Sequence, residues 1–414
     1  MKKNLFLLLM LLCSVTFFTA CSDDENDNWK NIPTDPINGE NVALTVNGVT
    51  SDGSIQFTPQ SATQGKVDLT NVFPGYSNVS VNVALEEQAD GSFNFSGEQG
   101  LTTPPSMLAK SVGTTPVIMT VKVKGNITVA GAVSMTATSA LSNDAMGGLS
   151  GSWNLLGKVD TDEYMTEIKS SPFILRWPAI KVVQKPGTDG EQIARIGSVI
   201  VSHILAEVLG QVTFNPDGNV TAKYYSSLPF DGDSAMEWIV GNAFNIDIKP
   251  SHTDWYESPK NLAYWYVKDN KLYIVPNIDM ILKQVSQDNG GAEIAGGDLS
   301  SILEMLSKLG IDLTQLDPAI IAQVTEWLST GIPLNYRTTE AGLEVYVDKA
   351  MVDPFMPILF TMLPGLQEQL DKMAEENPLI GMLPLLLSLD KLTDIETIWN
   401  TNTKEFELGI GFAK

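Results

Sequence analysis

Hydrophobic and polar residues alternate in short runs over the first third of this chain. Val42-Ala43-Leu44-Thr45-Val46, Val79 to Leu85 and Val117 to Val123 are the clearest. Successive side chains of a strand point to opposite faces, so alternation predicts half-buried strands. Asn47-Gly48, Asp52-Gly53, Asp90-Gly91 and Gly125-Asn126 punctuate the runs, and such dipeptides reach the positive φ angles of tight hairpins. Residues 42–147 therefore read as an antiparallel β-domain, a small sandwich or an open barrel. Val72 to Asn78 is a turn bearing Phe73 and Tyr76. It reads as a strand connection whose rings cap the core, with a binding loop as the alternative. Gly75-Tyr76-Ser77-Asn78-Val79 is no nucleophile elbow, because Val79 replaces the small residue that lets such a turn close.

Past the small-residue junction Ala145 to Ser150, hairpin patterns return with helical ones between them. Gln211 to Phe214 with Asn219 to Tyr224, Leu262 to Val267 with Lys271 to Val275, and Ile332 to Arg337 with Leu343 to Val347 each flank a turn. Ile395 to Asn400 with Lys404 to Phe412 predicts a final hairpin. Ile193, Ile196, Ile200, Ile204 and Val208 recur at helical spacing and predict a helix over 191–209. Leu299 to Leu309 and Pro318 to Leu328 read as helices too, the second started by Asp317-Pro318. Ala350 to Ala374 and Leu379 to Leu392 are very apolar, and their prolines 354, 357, 364 and 384 predict breaks or kinks.

Before the first strand lies a different pattern. Lys2 and Lys3 precede an apolar run, Leu5 to Phe18, which ends in Thr19-Ala20-Cys21. The run is short for a spanning helix of about 20 residues and has the form of a cleaved export signal. Cys13 lies inside it, so a cleaved chain keeps only Cys21 and forms no internal disulfide. Residues 21–41 then form an acidic tether, kept extended by Pro33, Pro36 and Gly39. The remainder, 148–414, reads as a second domain. A formal net charge of −23 repels phosphate backbones and makes nucleic acid an unsuitable partner.

Three stretches carry a resemblance to a known protein family. Phe18-Thr19-Ala20-Cys21 resembles a bacterial lipobox, which implies lipidation of Cys21 and loss of residues 1–20. Ser22 to Asp27 resembles the surface-export signal of Bacteroidetes lipoproteins, which implies an outward-facing outer-membrane anchor. A plain secretory peptide and a solvated acidic spacer are the alternatives. Gly151-Ser152-Trp153 resembles the first strand of lipocalin-like (calycin) barrels, where the Trp packs across the closed barrel end. As a whole the chain is similar to two-domain lipocalin-like lipoproteins of Bacteroidetes, a family without an assigned ligand. The expected fold is mainly β with helical insertions (α+β): an antiparallel β-domain, then a lipocalin-like barrel carrying inserted helices.

The candidate chemistry is sparse. Only His203 and His252 exist, and His203 reads as a packed helix residue. No cluster has zinc spacing and no glycine loop with a lysine cradles phosphate, so neither a metal nor a cofactor is expected. Asp160 to Glu163 and Asp231-Gly232-Asp233 offer oxygens to calcium, but neither completes a twelve-residue loop. Asp233-Ser234-Ala235 resembles a Bacteroidetes O-glycosylation site. The candidate ligand residues are aromatic: Trp238, Trp255, Tyr256 and Trp265. Trp255 and Tyr256 lie in a polar, loop-like stretch, where flat rings either stack on sugars or plug a barrel end. The Met- and Leu-rich segment 351–392 either lines an apolar cavity or forms ordinary core. The resulting expectation is a non-catalytic, lipid-anchored surface protein that binds an apolar small molecule in a barrel or helix cavity. A glycan-binding accessory protein for polysaccharide uptake and an envelope structural protein are the alternatives.

Overall fold

A computed structural model describes residues 27–104, 116–162, 168–178, 190–230, 234–242, 245–281, 318–376 and 389–414. Cys21, the signal and residues 21–26 of the tether lie outside the described residues. So do the helix expected over 299–309, residues 379–388 of the last apolar segment, and Asp231 to Asp233. Residues 27–41 are not the extended linker expected. Asp27–Asn31 is a 3-10 turn, and Ile32 and Ile37 are buried against the first sheet, Ile37 bridging Ile55.

The first sheet has eight strands: β1 (Val42–Val46), β2 (Val49–Thr50), β3 (Ser54–Ser61), β4 (Gln64–Phe73), β5 (Tyr76–Glu87), β6 (Phe93–Thr102), β7 (Val117–Ile127) and β8 (Val133–Leu141). Their order is β2-β1-β8-β7-β6-β5-β4-β3. From β3 to β8 this is a meander, but β1 joins β8 in parallel. The sheet is therefore mixed, not wholly antiparallel as expected. Alternation marks a strand but carries no direction, so the sequence pattern could not show this. Among the described residues it is one continuous sheet and not a two-sheet sandwich. It curls: Phe57 on β3 meets Phe95 on β6 at 5.4 Å, across two intervening strands. The inward positions of the alternating runs, such as Leu44, Val46, Val81, Val83 and Val121, are almost wholly buried.

Asn47-Gly48 and Asp90-Gly91 lie in turns as expected, with Gly48 and Gly91 at φ 85° and 79°. Gly125-Asn126 does not. It lies inside β7, and the chain turns later, at Thr128 to Ala132. Gly125 serves close approach instead: a Cβ there would lie 2.4 Å from the Ser134 carbonyl oxygen and 2.7 Å from the Phe95 ring.

A short helix, α1 (Asn143–Met146), links the sheets. Ser142 caps it by accepting from the Ala145 N–H, and Gly147 ends it in the left-handed region. The second part contains β9 (Gly151–Leu155), β10 (Asp160–Thr161), β11 (Ile168–Ser170), β12 (Phe173–Arg176), β13 (Leu209–Phe214), β14 (Val220–Tyr224), β15 (Tyr256–Glu257), β16 (Ala263–Lys268), β17 (Lys271–Pro276), β18 (Ile332–Thr338), β19 (Leu343–Asp348) and β20 (Glu407–Ala413). Nine of them run β15-β14-β13-β9-β20-β19-β18-β17-β16 as an antiparallel, curled half-barrel sheet, and β12 adds to β20. The curl brings the far ends together. Asn219 bridges Tyr264, and the Trp265 N–H donates to the Gly218 carbonyl at 2.9 Å. Phe214 and Trp265 touch at 5.0 Å across the concave side.

Three predicted hairpins are present as β13–β14, β16–β17 and β18–β19. The fourth is not. Residues 394–402 form a helix, and only β20 of that pair is a strand. Ile395, Ile398 and Trp399 have helical spacing, and Ile398 and Trp399 are buried on one side. Five further helices are described: α2 (Gly190–Val208), α3 (Ala235–Asn242), α4 (Pro318–Thr330), α5 (Lys349–Val352) and α6 (Met356–Glu376); the 394–402 helix is α7. Pro354 and Pro357 fall at helix starts, as their missing N–H allows. Pro364 does not break α6, which continues through it. The bond that Pro364 forgoes is the one to the Phe360 carbonyl, and both residues reach solvent, Pro364 openly and Phe360 in part, so water can take its place. Among the described residues no helix is long and apolar enough to cross a membrane.

One hydrophobic core spans both sheets. A buried polar seam accompanies it. Asn47 Nδ2 donates to the Tyr264 hydroxyl at 2.8 Å and to Ser139 Oγ at 2.9 Å. The Tyr264 hydroxyl donates to Asn261 Oδ1 at 3.3 Å, and Asn261 Nδ2 donates to the Val46 carbonyl at 3.1 Å. Phe73 packs edge-on against Tyr264 at 6.2 Å, which makes the Val72 to Asn78 turn part of the core junction.

On the convex side an ion cluster ties four strands. Glu344, 2% exposed, accepts from Arg176 at 2.8 and 3.1 Å and from Arg337 Nε at 2.7 Å. Glu407 accepts from Arg337 at 2.6 and 3.0 Å and from Arg176 at 2.9 Å. The Arg337 hydrogen bonds hold the Glu407 carboxyl below its ordinary pKa, against burial, with Arg176 adding to the effect.

Candidate functional site

Helix α2 holds the segment that bears Trp255. His203 and Glu207 are four residues apart and so share a helix face. His203 Nε2 pairs with the Asn245 carbonyl at 2.9 Å. The buried Glu207 carboxylate accepts from the Ser251 N–H at 2.9 and 3.0 Å and from Ser251 Oγ at 2.8 Å. His252 Nε2 meets the Glu207 backbone carbonyl at 2.9 Å. These bonds fasten 245–252 along the helix, so the following residues leave it at a fixed point. His203 is thus a packed helix residue, 4% exposed.

Beyond that point five rings gather at the β14–β15 edge. His252 stacks on Tyr225 at 3.9 Å, and Trp255 tilts against His252 at 4.6 Å. Tyr256 lies parallel to Tyr225 at 5.9 Å and beside Tyr224 at 5.9 Å. Tyr256 is 55% exposed, the most open large ring among the described residues. Trp255 is half-buried and rests on Gly210, where a Cβ would lie 3.0 to 3.1 Å from three ring atoms. A Cβ at this position would push the indole away from the strand by a few tenths of an ångström.

Trp255 forms one wall of a pocket of about 280 Å³ between β9, β13, β14 and α2. That is just below the usual range of about 300–1,000 Å³ for ligand pockets. Asn154, Gln211 and Lys223 supply polar groups, and Ile248 and Pro250 an apolar side. Gln211 Nε2 donates to Asn154 Oδ1 at 2.8 Å, which leaves Gln211 Oε1 and Asn154 Nδ2 for other partners. The Trp255 indole N–H has no protein acceptor among the described residues. The lining combines one flat ring, an amide donor, an amide acceptor and a lysine around one small hollow.

The other candidates fall elsewhere. Trp238 packs on α3 against Phe230 at 4.7 Å and His203 at 6.1 Å, outside the pocket. Trp265 is 1% exposed, and its indole donates to the Asn215 carbonyl at 2.9 Å. It fills the concave side and presents no free face to a ligand. The structure therefore brings Trp255 and Tyr256 together and separates both from Trp238 and Trp265. Sequence reading missed Asn154, Gln211, Lys223 and Gly210, which lie on regular strands where polar outward positions are ordinary. It also missed Glu207, whose role depends on a loop more than 40 residues later.

A larger hollow of about 590 Å³ crosses β5 to β8 on the outer face of the first sheet. Its walls are solvent-facing side chains such as Ala84, Ser96, Ser134 and Thr136, and the Phe95 ring at its floor belongs to the core. Size alone favours it, but no aromatic wall and buried support converge there as they do at Trp255. Among the described residues no three His, Cys, Asp or Glu side chains gather as metal ligands. No protein-family model, curated protein or solved structure matches the chain.

Proposed function

We propose that this protein is a lipid-anchored surface protein of the bacterial envelope that binds a saccharide at the Trp255 pocket. The observation that carries the reading is the shared lining of one pocket by the Trp255 ring and by Asn154 and Gln211, whose mutual hydrogen bond leaves one amide donor and one amide acceptor for a ligand. Sugar rings present apolar C–H faces and a hydroxyl rim. An aromatic wall takes the face, and amides, which both donate and accept, take the rim. Tyr256, next in the chain, does not line the pocket; it stands exposed beside Tyr224 and Tyr225. Glu207 and Gly210 hold this surface in place before any ligand arrives, which limits the ordering cost of binding. The lipobox and acidic run support the anchor, and Gly151-Ser152-Trp153 supports a lipocalin-like barrel. Trp153 is buried, its indole donates to the Leu149 carbonyl, and Lys414 lies 5.4 Å above its ring.

A second reading places an apolar small molecule on the concave side of the half-barrel. It is favoured by half-buried apolar residues on that face, including Val212, Leu334, Tyr336, Val345 and Ile410. Retention on immobilised polysaccharides, with a fluorescent fatty acid as the competing probe, separates the two. Under the first reading Trp255→Ala loses retention and leaves fatty-acid binding unchanged. Fatty-acid binding by a protein that no polysaccharide retains would reverse the order.

A further inference from the structure

Among the described residues, Lys223 is the only charged one lining the Trp255 pocket. This runs against the composition, because the chain has 49 acidic residues and 26 lysines and arginines. Lys223 makes no ion pair among the described residues, although Glu257 is its cross-strand partner. The nearby carboxylate of Glu207 is 3% exposed, does not line the pocket, and already accepts three hydrogen bonds from Ser251. Lys223 therefore brings a positive charge to the lining, and no carboxylate lines the pocket with it. A lysine, an aromatic wall, one amide donor and one amide acceptor in a single lining match a sugar ring that bears a carboxylate. We infer that the ligand of this pocket is an acidic saccharide, a uronic acid at the end of a short chain, whose carboxylate pairs with Lys223.

The length restriction follows from charge as well as volume. A net charge of −23 repels a long polyanion as a whole. One carboxylate reaching Lys223 gains its local attraction, whereas each further acid along a chain meets the acidic surface. The pocket of about 280 Å³ also admits a ring and not a strand of them.

The inference rests on the saccharide reading, and one experiment separates their failures. Short galacturonate, glucuronate and mannuronate oligomers are titrated against the purified protein by calorimetry, each beside its methyl ester, with neutral oligosaccharides in parallel. Esterification removes the charge and keeps the ring. At least one acid should bind about tenfold or more tightly than its ester at low salt, the gain expected of a charge-assisted hydrogen bond. High salt should narrow the gap. Lys223→Gln should bring acid and ester to equal affinity, Lys223→Arg should keep the preference, and Trp255→Ala should weaken both. Esters or neutral sugars binding as well as the acids, with Trp255 still required, would overturn the acidic ligand and leave the saccharide reading standing. Binding of no acid, ester or neutral sugar would overturn both.

Discussion

The seam between the two sheets can be tested by removing one oxygen atom. Tyr264→Phe keeps the ring and its edge contact with Phe73, but deletes the hydroxyl. Asn47 Nδ2 loses one acceptor and retains Ser139 Oγ. Asn261 Oδ1 loses the donor at 3.3 Å, and Asn261 is 5% exposed, so water cannot readily replace it. An orphaned buried acceptor costs about 1–3 kcal/mol, which is the expected loss of stability. Tyr264→Ala removes the ring as well and should reach about 3–5 kcal/mol. Burial already raises the Tyr264 hydroxyl pKa, so the group is neutral and no charge is lost with it. Urea unfolding followed by far-ultraviolet circular dichroism reports both sheets. Tryptophan fluorescence reports mainly the second sheet and its helices. If one core and one seam join the sheets, both signals shift together to lower urea. A change below roughly 0.5 kcal/mol, within the range of ordinary surface substitutions, would refute the seam. So would a dichroism curve that splits into two transitions.

Three further outcomes are expected. Glu344→Ala leaves Arg176 and Arg337 sharing Glu407; their side chains are 33% and 36% exposed, so the loss should be about 2–3 kcal/mol in urea unfolding, short of a fully buried pair. Glu407 has a lowered folded pKa, so its contribution is complete above the ordinary value of 4.5 and is lost as pH falls through the folded value; Glu407→Gln should flatten the stability curve in that acid window, and an unchanged curve would exclude the cluster as its source. Gly125→Ala should lower the urea midpoint markedly, because the Cβ meets a backbone oxygen that cannot rotate away; a neutral result would show that β7 and β8 separate there easily.

How legible the molecule is in its sequence follows from the kind of information each feature needs. Strands such as Val79 to Leu85 are legible because alternation reports burial directly, and three hairpins were visible from runs flanking turn residues. The parallel pairing of β1 with β8 was not, since direction comes from the path of the whole chain. Residues 395–400 mislead because β-branched isoleucine suits a strand, while the three-and-four spacing that decides the matter spans only Ile395, Ile398 and Trp399. Gly125-Asn126 misleads because a glycine that turns the chain and one that admits a neighbouring strand look identical. At the site, Trp255 and Tyr256 stand out as aromatic residues in a polar stretch. Their partners do not, since Asn154, Gln211 and Lys223 come from three strands and become neighbours only through the register of β9, β13 and β14.

The most direct measurement is a titration followed by the indole N–H signals of the eight tryptophans, with Trp255 assigned by its disappearance in Trp255→Phe. A bound saccharide should move the Trp255 signal, because that ring lines the pocket and its N–H has no protein acceptor among the described residues, and should leave the buried, hydrogen-bonded Trp265 signal in place. A saccharide that binds without moving Trp255 would contradict the account. So would an apolar ligand that shifts Trp153 and Trp265 while no saccharide binds at all.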